Sequence, residues 1–403
     1  MQSAPRVAAP EDRADWPMLA LAWLAYFGFG SVSVSLSTLI TPIRAELDLS
    51  YGQVGVVLGA WQLVYIVASY PSGLLVDKLG TRWALAIGTS IVAASAFLRA
   101  LAGSFPVLLA SVGLFGIGGP IISIGLPKVI ATWFQGRPRS VAAGIYTTGS
   151  ATGSVLTLAL TNSVVLPLLE SWRAVFALYG LIVVVITGVW LWRAKEPPRA
   201  IAGRAAGVSF GEACRVVLRA RAVWLVVIVG FTGFMTGHGF RSWLPQILES
   251  RGMTAAQAGY LAALPGLCGI AGSILVSRVA PIFGRQRTVF ALLAIIGTAL
   301  GSMSVASGIA VPLLLMVQGF CAGAILPLLM SILMDLREVG AAAMGAAAGI
   351  YFTVGEVGGF GGPAMMGLLK DTTGSFTAGL LLLCGISLAM LVPTSMLPKD
   401  GRR

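Results

Sequence analysis

The stretch Ala142-Ala143-Gly144-Ile145-Tyr146-Thr147-Thr148 recurs 205 residues later as Ala347-Ala348-Gly349-Ile350-Tyr351-Phe352-Thr353. A repeat displaced by half of a 403-residue chain indicates two halves that are built alike. A basic turn from Lys78 to Arg82 also returns, from Arg278 to Arg287, at nearly the same displacement. Because corresponding segments have the same direction, we predict a parallel repeat with a cleft between its two halves.

The composition indicates that lipid surrounds much of the chain. Hydrophobic residues make up 57% of it, charged residues 10%, and the mean hydropathy is +0.89. A spanning helix needs roughly 20 mostly apolar residues. The sequence therefore predicts an all-α polytopic membrane protein with twelve transmembrane helices in two pseudo-symmetric six-helix bundles. The predicted spans are 17–40, 52–76, 83–102, 106–134, 139–165, 173–192, 222–248, 256–278, 288–306, 309–334, 341–369 and 376–396.

The distribution of basic residues predicts the topology. With a cytoplasmic N-terminus, twenty of the 27 Lys and Arg residues lie on the cytoplasmic side and five lie outside. This bias is the positive-inside signature, so we expect a multi-pass inner-membrane protein of bacterial type with both termini in the cytoplasm. The predicted segments are a cytoplasmic N-terminus 1–16, a first bundle 17–192, a linker 193–221, a second bundle 222–397 and a cytoplasmic C-terminus 398–403.

Several classes of partner and cofactor are not expected. The net charge of +12 is scattered between apolar runs rather than clustered on one soluble face, which argues against nucleic acid. The four cysteines lack CxxC spacing, so neither a disulfide framework nor a zinc site is predicted. The polar start of the chain predicts no removable signal peptide. We expect no cofactor, and since the two-bundle design does not require oligomers, a monomer.

One cytoplasmic turn carries a family resemblance. Gly73-Leu74-Leu75-Val76-Asp77-Lys78-Leu79-Gly80-Thr81-Arg82 resembles the loop between helices two and three of the major facilitator superfamily, whose pattern is G-x3-D-[RK]-x-G-x-[RK]. With the repeat and the topology, the resemblance covers essentially the whole chain. It implies a charge latch centred on Asp77 and Arg82 that holds the halves closed on the cytoplasmic side. In the second half, Ser277 replaces the acid and an insertion precedes Gly284, which predicts a weaker or different latch.

Other stretches resemble branches of this superfamily that handle anions. Those branches are the cyanate-transporter-like, nitrate/nitrite and organic-anion symporters, and Phe240 to Leu248 looks most like the first of them. The drug exporters of the superfamily carry Gly-Pro-x-x-Gly-Gly in the fifth helix, which here reads Gly149-Ser150-Ala151-Thr152-Gly153 without the proline. This departure argues against drug export. The remaining anion-branch stretches are Trp133-Phe134 with Arg137 and Arg139, Trp172-Arg173, and Gly362 to Gly374.

Two basic residues within predicted spans are candidates for anion binding. Ionisable groups within a bilayer are costly, so they usually face a wet cavity or a partner. Arg241 follows glycines in the seventh helix, and its planar fork suits a carboxylate. Lys128 lies near the cytoplasmic end of the fourth helix. The alternative for both is a side chain that extends to the membrane surface.

Two further ionisable residues are candidates for proton coupling. His238, the single histidine, lies one turn before Arg241, and its alternative role is a hydrogen bond within the cavity. Glu356 is the one acid deep in a span. Its roles remain open between a protonatable carboxyl, a fixed counter-ion of Arg241 or Lys128, and a structural buried pair.

Polar side chains on several helices complete the predicted cleft, although each one alone is more often a contact between helices. No paired carboxylates, nucleophile triad or metal-ligand cluster supports an enzyme. The glycines at 113, 116, 118 and 119 lie within a span, which indicates close helix packing rather than a phosphate loop. The predicted additional substrate contacts are Gln62, Tyr65, Ser35, Tyr146 and Tyr351.

The resemblance and the two intramembrane bases together predict a secondary transporter of a small anion, either a carboxylate or an inorganic oxyanion. Alternating access and proton-coupled uptake are the expected mechanism. The competing hypotheses are a proton-coupled exporter of drugs or metabolites and a transporter-like receptor.

Overall fold

The computed structural model describes residues 14–196, 210–336 and 338–398, without the side chains of residues 137, 210–214 and 340–342. The predicted segments 1–16, 193–221 and 398–403 therefore lie partly outside the described residues. Every regular element of the described ranges is a helix, and one isolated β-bridge joins Ala14 to Phe134. This confirms the all-α fold class.

The described residues of the first half form seven α-helices and a π-helical turn, Thr161–Val165, which lies between α5 and α6. The first helix begins after Asp15, whose carboxylate accepts a hydrogen bond from the Met18 amide at 3.2 Å. The α-helices are α1 Trp16–Thr38, α2 Ile40–Leu47, α3 Tyr51–Ala100, α4 Phe105–Trp133, α5 Arg137–Leu160, α6 Leu166–Leu169 and α7 Trp172–Arg193.

The second half repeats this order after a short amphipathic helix that follows the linker. Its helices are α8 Phe210–Arg219, α9 Arg221–Glu249, α10 Ala255–Phe283, α11 Arg285–Met303, α12 Ala310–Met334, α13 Gly340–Thr373, α14 Thr377–Ala389 and α15 Leu391–Ser395.

Local details repeat between the halves as well. Ser50 and Gln53 form a capping box at the start of α3, and Thr254 and Gln257 form one at the start of α10. Gly80 turns the chain inside α3 with φ of 78°, and Gly284 does so between α10 and α11 with φ of 90°. Both pairs are displaced by 204 residues (254 − 50 and 284 − 80).

This register corrects the predicted alignment of the second turn. Since Gly284 corresponds directly to Gly80, no insertion precedes it, and Pro281 rather than Ser277 corresponds to Asp77. One hydrogen bond of the turn occurs at equivalent positions in both halves. Arg82 donates to the carbonyl of Leu191 at 2.6 Å, and Gln286, 204 residues later, donates to that of Ser395 at 2.7 Å.

Ten helical segments of the described residues are long and apolar enough to cross a membrane, if α14 is counted with α15, and α5 with the π-helical turn and α6. One of them, α3, has 50 residues and turns at Gly80. Each of the twelve predicted spans coincides with a helix or part of one, but α13 is not among the ten. The twelve crossings therefore remain a prediction.

The two halves meet along two helix pairs. Within the halves, α1 packs on α5, and α9 packs on α13 in the same way. Between them, α3 packs on α13 and α5 on α10. We call the end that holds the turns near residues 39–51, 101–105, 250–255 and 373–377 the distal end. The opposite end, which holds residue 16 and the turns at 80, 134–137 and 284, is the linker end.

The halves touch at the distal end and separate toward the linker end. In the distal part of α3, a Cβ added at Gly55 would lie 2.5 Å from the Pro363 carbonyl oxygen, and one at Gly59 would lie 2.8 Å from that of Phe360. Tyr70 lies three helical turns beyond Gly59 on the same face. It is 72% exposed. The space between the halves is therefore open to the linker end.

Candidate functional site

The larger of two described cavities lies between the halves and has a volume of about 620 Å³. Its walls come from α1 and α5 of the first half and from α9, α10 and α12 of the second. Arg241 is its one charged lining residue among those described. The polar side chains on its walls are Tyr26, Thr147, Thr148, Ser150, Ser154, Ser273 and Gln318.

The smaller cavity has a volume of about 60 Å³ and shares Arg241 with the larger one. It lies between α9 and helices α1, α3 and α4 of the first half. Its charged and titratable lining residues are Arg99, His238 and Arg241, and none of the described lining residues of either cavity is acidic. The other lining residues are Ser33, Val34, Leu36, Ser37, Leu58, Trp61, Val112 and Ser242.

Arg241 has the properties that the sequence predicts for an anion-binding residue. It lies on α9 eight residues before Glu249, where the helix ends, and its side chain is exposed because it faces the cavities. Among the described residues, its guanidinium makes no hydrogen bond or ion pair. An unpaired guanidinium in a cavity without acids offers a planar fork to a carboxylate.

Arg99 is a second arginine of the site, and it is one of the five basic residues that the distribution of Lys and Arg predicts on the outer side of the membrane. The structure buries it to 2% exposure at the distal end of α3. It donates to the Val32 carbonyl at 3.0 Å, and its guanidinium carbon lies 5.5 Å from the ring centre of Phe115. Its position inside the predicted third span, 83–102, is the signal that could have identified it, since a charge within a span usually has a buried role.

His238, Gln62 and Glu356 meet where α3, α9 and α13 approach each other. The Gln62 amide nitrogen lies 3.3 Å from His238 Nδ1 and donates weakly to the Gly359 carbonyl at 3.4 Å. Gln62 therefore links the first half to two helices of the second. The Glu356 carboxyl adjoins Gly359, is 7% exposed, and has one oxygen without a hydrogen-bond partner among the described residues. Glu356 pairs with neither Arg241 nor Lys128 here.

The structure places the other predicted substrate contacts outside the lining of both cavities. Tyr65 shares a hydrogen bond with Ser123, and Tyr146 stacks near Tyr26, which does line the larger cavity. Ser35 is fully buried and bonds to a carbonyl of its own helix.

Tyr351 is 1% exposed and packs on Gly230 inside the second half. Sequence pattern does not give the rotation of a helix, which is why the neighbouring serines 33 and 37 take the cavity positions instead of Ser35.

Lys128 and the predicted gating motif form contacts within the first half. Lys128 pairs with Asp77 at 2.6 Å on the surface of the linker end, so it does not face Arg241 across a cleft as predicted. Arg82 binds the end of α7, and Lys78 is exposed. Gly73 has no neighbouring atom within 4 Å of an added Cβ. In this conformation, the predicted latch around Asp77 and Arg82 does not join the halves.

Apart from Phe240 to Leu248, which includes Arg241, the predicted anion-branch stretches contribute structural contacts rather than walls of the two cavities. Arg173 and Trp172 both donate to the Glu46 carboxylate at the distal end of the first half. The hydrogen bond from Arg173, followed by that from Trp172, lowers the pKa of Glu46. The side chain of Arg137 lies outside the described residues.

Polar contacts between the halves close the distal end. The Asp371 carboxylate, at the end of α13, accepts hydrogen bonds from the amides of Tyr51 at 2.9 Å and Gly52 at 2.7 Å. These amides form the N-terminus of α3, where a negative charge is favourable.

A second contact joins the halves beside it. The Thr41 hydroxyl donates to Glu249 at 2.6 Å and accepts from the Gln246 amide at 2.8 Å. Together these contacts separate both cavities from the distal surface.

A repeated bundle of apolar helices around a central cavity defines a polytopic membrane transporter as the class of protein. The sequence match is specific: residues 18–363 match the Major Facilitator Superfamily, and the chain belongs to this family. The family and its relatives are transporters, which confirms the predicted resemblance and the prediction that the chain is not an enzyme.

The relatives include transporters named for organic acids. A candidate tartrate transporter of Agrobacterium vitis is 24% identical, with 94% of this chain and 89% of that protein covered. A hexuronate transporter of Bacillus subtilis (strain 168) is 23% identical over 86% of this chain and 85% of that protein.

Among solved structures, the fold is similar to that of a bacterial homologue of the human lysosomal transporter Spinster in an inward-facing, unoccupied conformation. The TM-score is 0.72 at 17% sequence identity, with 94% of each chain covered.

Proposed function

We propose that this protein transports a small organic anion that carries at least one carboxylate, and that Arg241 binds this carboxylate in the larger cavity. The observation that carries the proposal is the guanidinium of Arg241, which lies between the halves without an acidic partner among the described residues. The names of the relatives, which include tartrate and hexuronate, support the same class of solute.

The size and walls of the cavity fit this class. A volume of about 620 Å³ admits a hydroxylated acid of sugar size. The hydroxyls of Thr147, Thr148 and Ser154 can bind the hydroxyl groups of such a solute, while Arg241 binds its charge. Tyr146 and Tyr65 then support the site through Tyr26 and Ser123 rather than by direct contact.

The route of transport in this proposal is alternating access. The cavity is closed at the distal end and open toward the linker end, so a second conformation with the opposite closure would complete a cycle. If the termini lie in the cytoplasm, as the basic residues predict, the present conformation is inward-facing. In this proposal the protein acts as a monomer in the inner membrane, with both cavities lined by residues of the same chain.

The first experiment is a thermal-shift measurement on detergent-purified protein with tartrate, galacturonate and galactarate, each against its neutral polyol or sugar. A ligand that binds only the folded state raises its stability. Arg241→Ala should abolish the shift. The matched control is Arg221→Ala, which removes the same charge from the exposed start of the same helix, about 30 Å away at 1.5 Å per residue.

The outcomes separate the competing functions. A shift with an acid in the wild type and in Arg221→Ala, but not in a folded Arg241→Ala, supports the proposal. Equal shifts with the acids and their neutral partners, or shifts only with hydrophobic cations, contradict it and favour export of another class of solute.

We also propose that Glu356 couples transport to protons. A buried carboxylate without a counter-charge costs several kcal/mol, so the group is expected to carry a proton in the present conformation. It adjoins Gln62 and His238, which link the halves, so a change in its charge acts where the halves separate.

The test compares exchange with accumulation in proteoliposomes. Glu356→Gln imitates the protonated carboxyl, so exchange of labelled solute should continue while accumulation driven by a pH gradient is lost. Asp335→Asn, at the linker end, is the control. Loss of both activities in a folded Glu356→Gln, or retention of both, would contradict a proton-coupling role.

A further inference from the structure

The smaller cavity combines two cationic side chains from different halves. Arg99 comes from α3 of the first half, and Arg241 comes from α9 of the second. With a volume of about 60 Å³, the space exceeds the 10–15 Å³ that one water needs, and it is too small for a whole sugar acid. It therefore suits one compact group.

Arg99 is incompletely satisfied in this environment. Its side chain is 2% exposed, and its one hydrogen bond to a described residue goes to the Val32 carbonyl at 3.0 Å. Its Nε atom is buried without a hydrogen-bond partner. The rings of Phe115 and Phe176, at 5.5 and 6.0 Å from the guanidinium carbon, offer only weak compensation. A buried charge of this kind normally has a counter-charge.

The other walls of the cavity fit an anion. None of the described lining residues is acidic, so the two guanidinium groups have no counter-ion in the cavity. Ser37 and Ser242 add hydroxyl groups, and His238 adds a ring nitrogen. Hydroxyl and guanidinium donors together are the groups that bind halides and carboxylates.

We infer that the smaller cavity binds one compact anionic group between Arg99 and Arg241. The anionic group could come from two sources. One is a free halide ion, and the other is a carboxylate of the transported acid, which would reach past Arg241 from the larger cavity into the smaller one. The inference shares Arg241 with the proposed function, but it adds Arg99 as a residue that binds the anion and does not depend on what the larger cavity transports.

The position of the site gives the anion a conformational effect. Because Arg99 and Ser37 belong to the first half and Arg241 and Ser242 to the second, the complete site exists only while the halves are closed at the distal end. An anion bound there stabilises this conformation by its difference in affinity for the two states.

The test is a thermal-shift titration of purified protein with sodium chloride and sodium bromide, at constant ionic strength kept with the sodium salt of a bulky sulfonate buffer, which is not a sugar acid. We expect a saturable rise of a few degrees in the midpoint of the wild type, since the ion binds the folded state only. Arg99→Met keeps the length of the side chain and should lose the rise. Arg221→Met, which removes an exposed arginine, should keep it.

A second arm identifies the source of the anion. If halide has no effect, the same proteins are titrated with tartrate. A tartrate shift that weakens about tenfold in Arg99→Met but not in Arg221→Met assigns the cavity to a carboxylate. If halide and tartrate both act and their shifts add, the cavity holds a free ion. If Arg99→Met keeps every shift of the wild type, or if the wild type responds to neither ion, the inference is wrong.

Ser37→Asp keeps the inference testable if Arg99→Met does not fold. This substitution places a carboxylate in the cavity, where it should pair with the two arginines. We expect a higher midpoint than the wild type without halide, and no further rise with it. A lower midpoint together with an unchanged response to halide would overturn the inference. Failure of the Arg241→Ala test with intact responses at Arg99 would contradict only the proposed substrate site.

Discussion

The two ends of the molecule use polar contacts in opposite ways. At the distal end, the contacts run between the halves, from Asp371 to the start of α3 and from Thr41 to Glu249. At the linker end, they run within each half: Asp77 pairs with Lys128 in the first, and Arg285 pairs with Asp335 in the second. Each half therefore has an ion pair at the linker end, but neither pair holds the two halves together.

The ion pairs of the two halves are alike in place but not in charge. In the first half, the acid Asp77 lies before the turn at Gly80, and the base Lys128 lies on α4. In the second, the base Arg285 follows the turn, and the acid Asp335 follows α12. Each half thus has one ion pair of its own beside its turn, and neither pair joins the two halves.

The largest effect is expected from a direct block of the distal contact. In Gly55→Leu, the new side chain would collide with the Pro363 carbonyl, since even a Cβ lies 2.5 Å from its oxygen. Overpacking costs about 1–3 kcal/mol, so the ratio of distal-closed to distal-open molecules should fall roughly tenfold. The measurement is a pair of spin-label distances by pulsed EPR, in a background without the native cysteines. One pair joins labels at Ala45 and Ser307, and the other joins labels at Arg139 and Ile282.

Gly73→Leu is the control for this substitution. Gly73 lies on α3 with no atom within 4 Å of an added Cβ, so the distal distance should not change. Distance distributions of Gly55→Leu that match those of the wild type would contradict this prediction, because the distal contact would then accommodate the larger side chain without opening.

A smaller effect is expected when the charge of Asp371 is removed. Asp371→Asn keeps the shape of the side chain but loses the attraction between a carboxylate and the N-terminus of α3. Such attractions contribute about 0.3–1 kcal/mol at exposed positions, so the ratio of distal-closed to distal-open molecules should fall about two- to fivefold. The same label pairs measure it. Asp335→Asn, at the linker end, should leave the distal distance unchanged, and equal effects of both variants would contradict the comparison.

Acid should open the distal end through the same carboxylate. Partial burial acts to raise the pKa of Asp371, but the amides of Gly52 and Tyr51, Ser50 and Arg44 outweigh it and lower this pKa. The stabilisation is therefore present above the ordinary Asp value near 3.9 and is lost as the pH falls through the lowered pKa. Distal distances recorded from pH 7 to pH 3 should lengthen in the wild type. The Asp371→Asn protein should lack that transition.

The smallest effect is expected at the linker end. Asp77→Asn should lower the free energy of unfolding by at most about 1 kcal/mol, because the pair with Lys128 is exposed at 70% and 43%. The exchanged pair Asp77→Lys with Lys128→Asp should restore it, as measured by thermal unfolding. A change in the distal distance of Asp77→Asn would mean that the pair acts between the halves in this conformation.

The sequence predicted the helices well because their signals are local. Apolar runs of spanning length, capping residues and the turn at Gly80 are all read from neighbouring residues, and the repeat indicated the two halves. The positions and partners of long side chains could not be predicted in this way, because they depend on tertiary packing. Lys128 reaches an acid on another helix, and Arg99, placed at the end of a span, folds inward between α1 and α4.

Of the predicted site residues, Arg241 lines both cavities, whereas Ser35 and Tyr351 line neither. That Arg241 binds the solute remains a prediction. Arg241 could be predicted because a charge among glycines within a span is costly unless it faces a cavity or a partner. Ser35 and Tyr351 could not, since their roles depend on the rotation of each helix and on the partner that it meets. Whether Glu356 carries a proton remains a prediction.

The contact of Asp371 has an unusual chemical basis on the first half, because its partners there include main-chain amides. Any residue except proline supplies the same N–H at positions 51 and 52. Position 51 can therefore change without loss of its donor, whereas position 52 is restricted, since a Cβ added at Gly52 would lie 3.1 Å from Asp371 Oδ2. A search for paired changes in evolution should find little signal between positions 51 and 371, although the two segments touch.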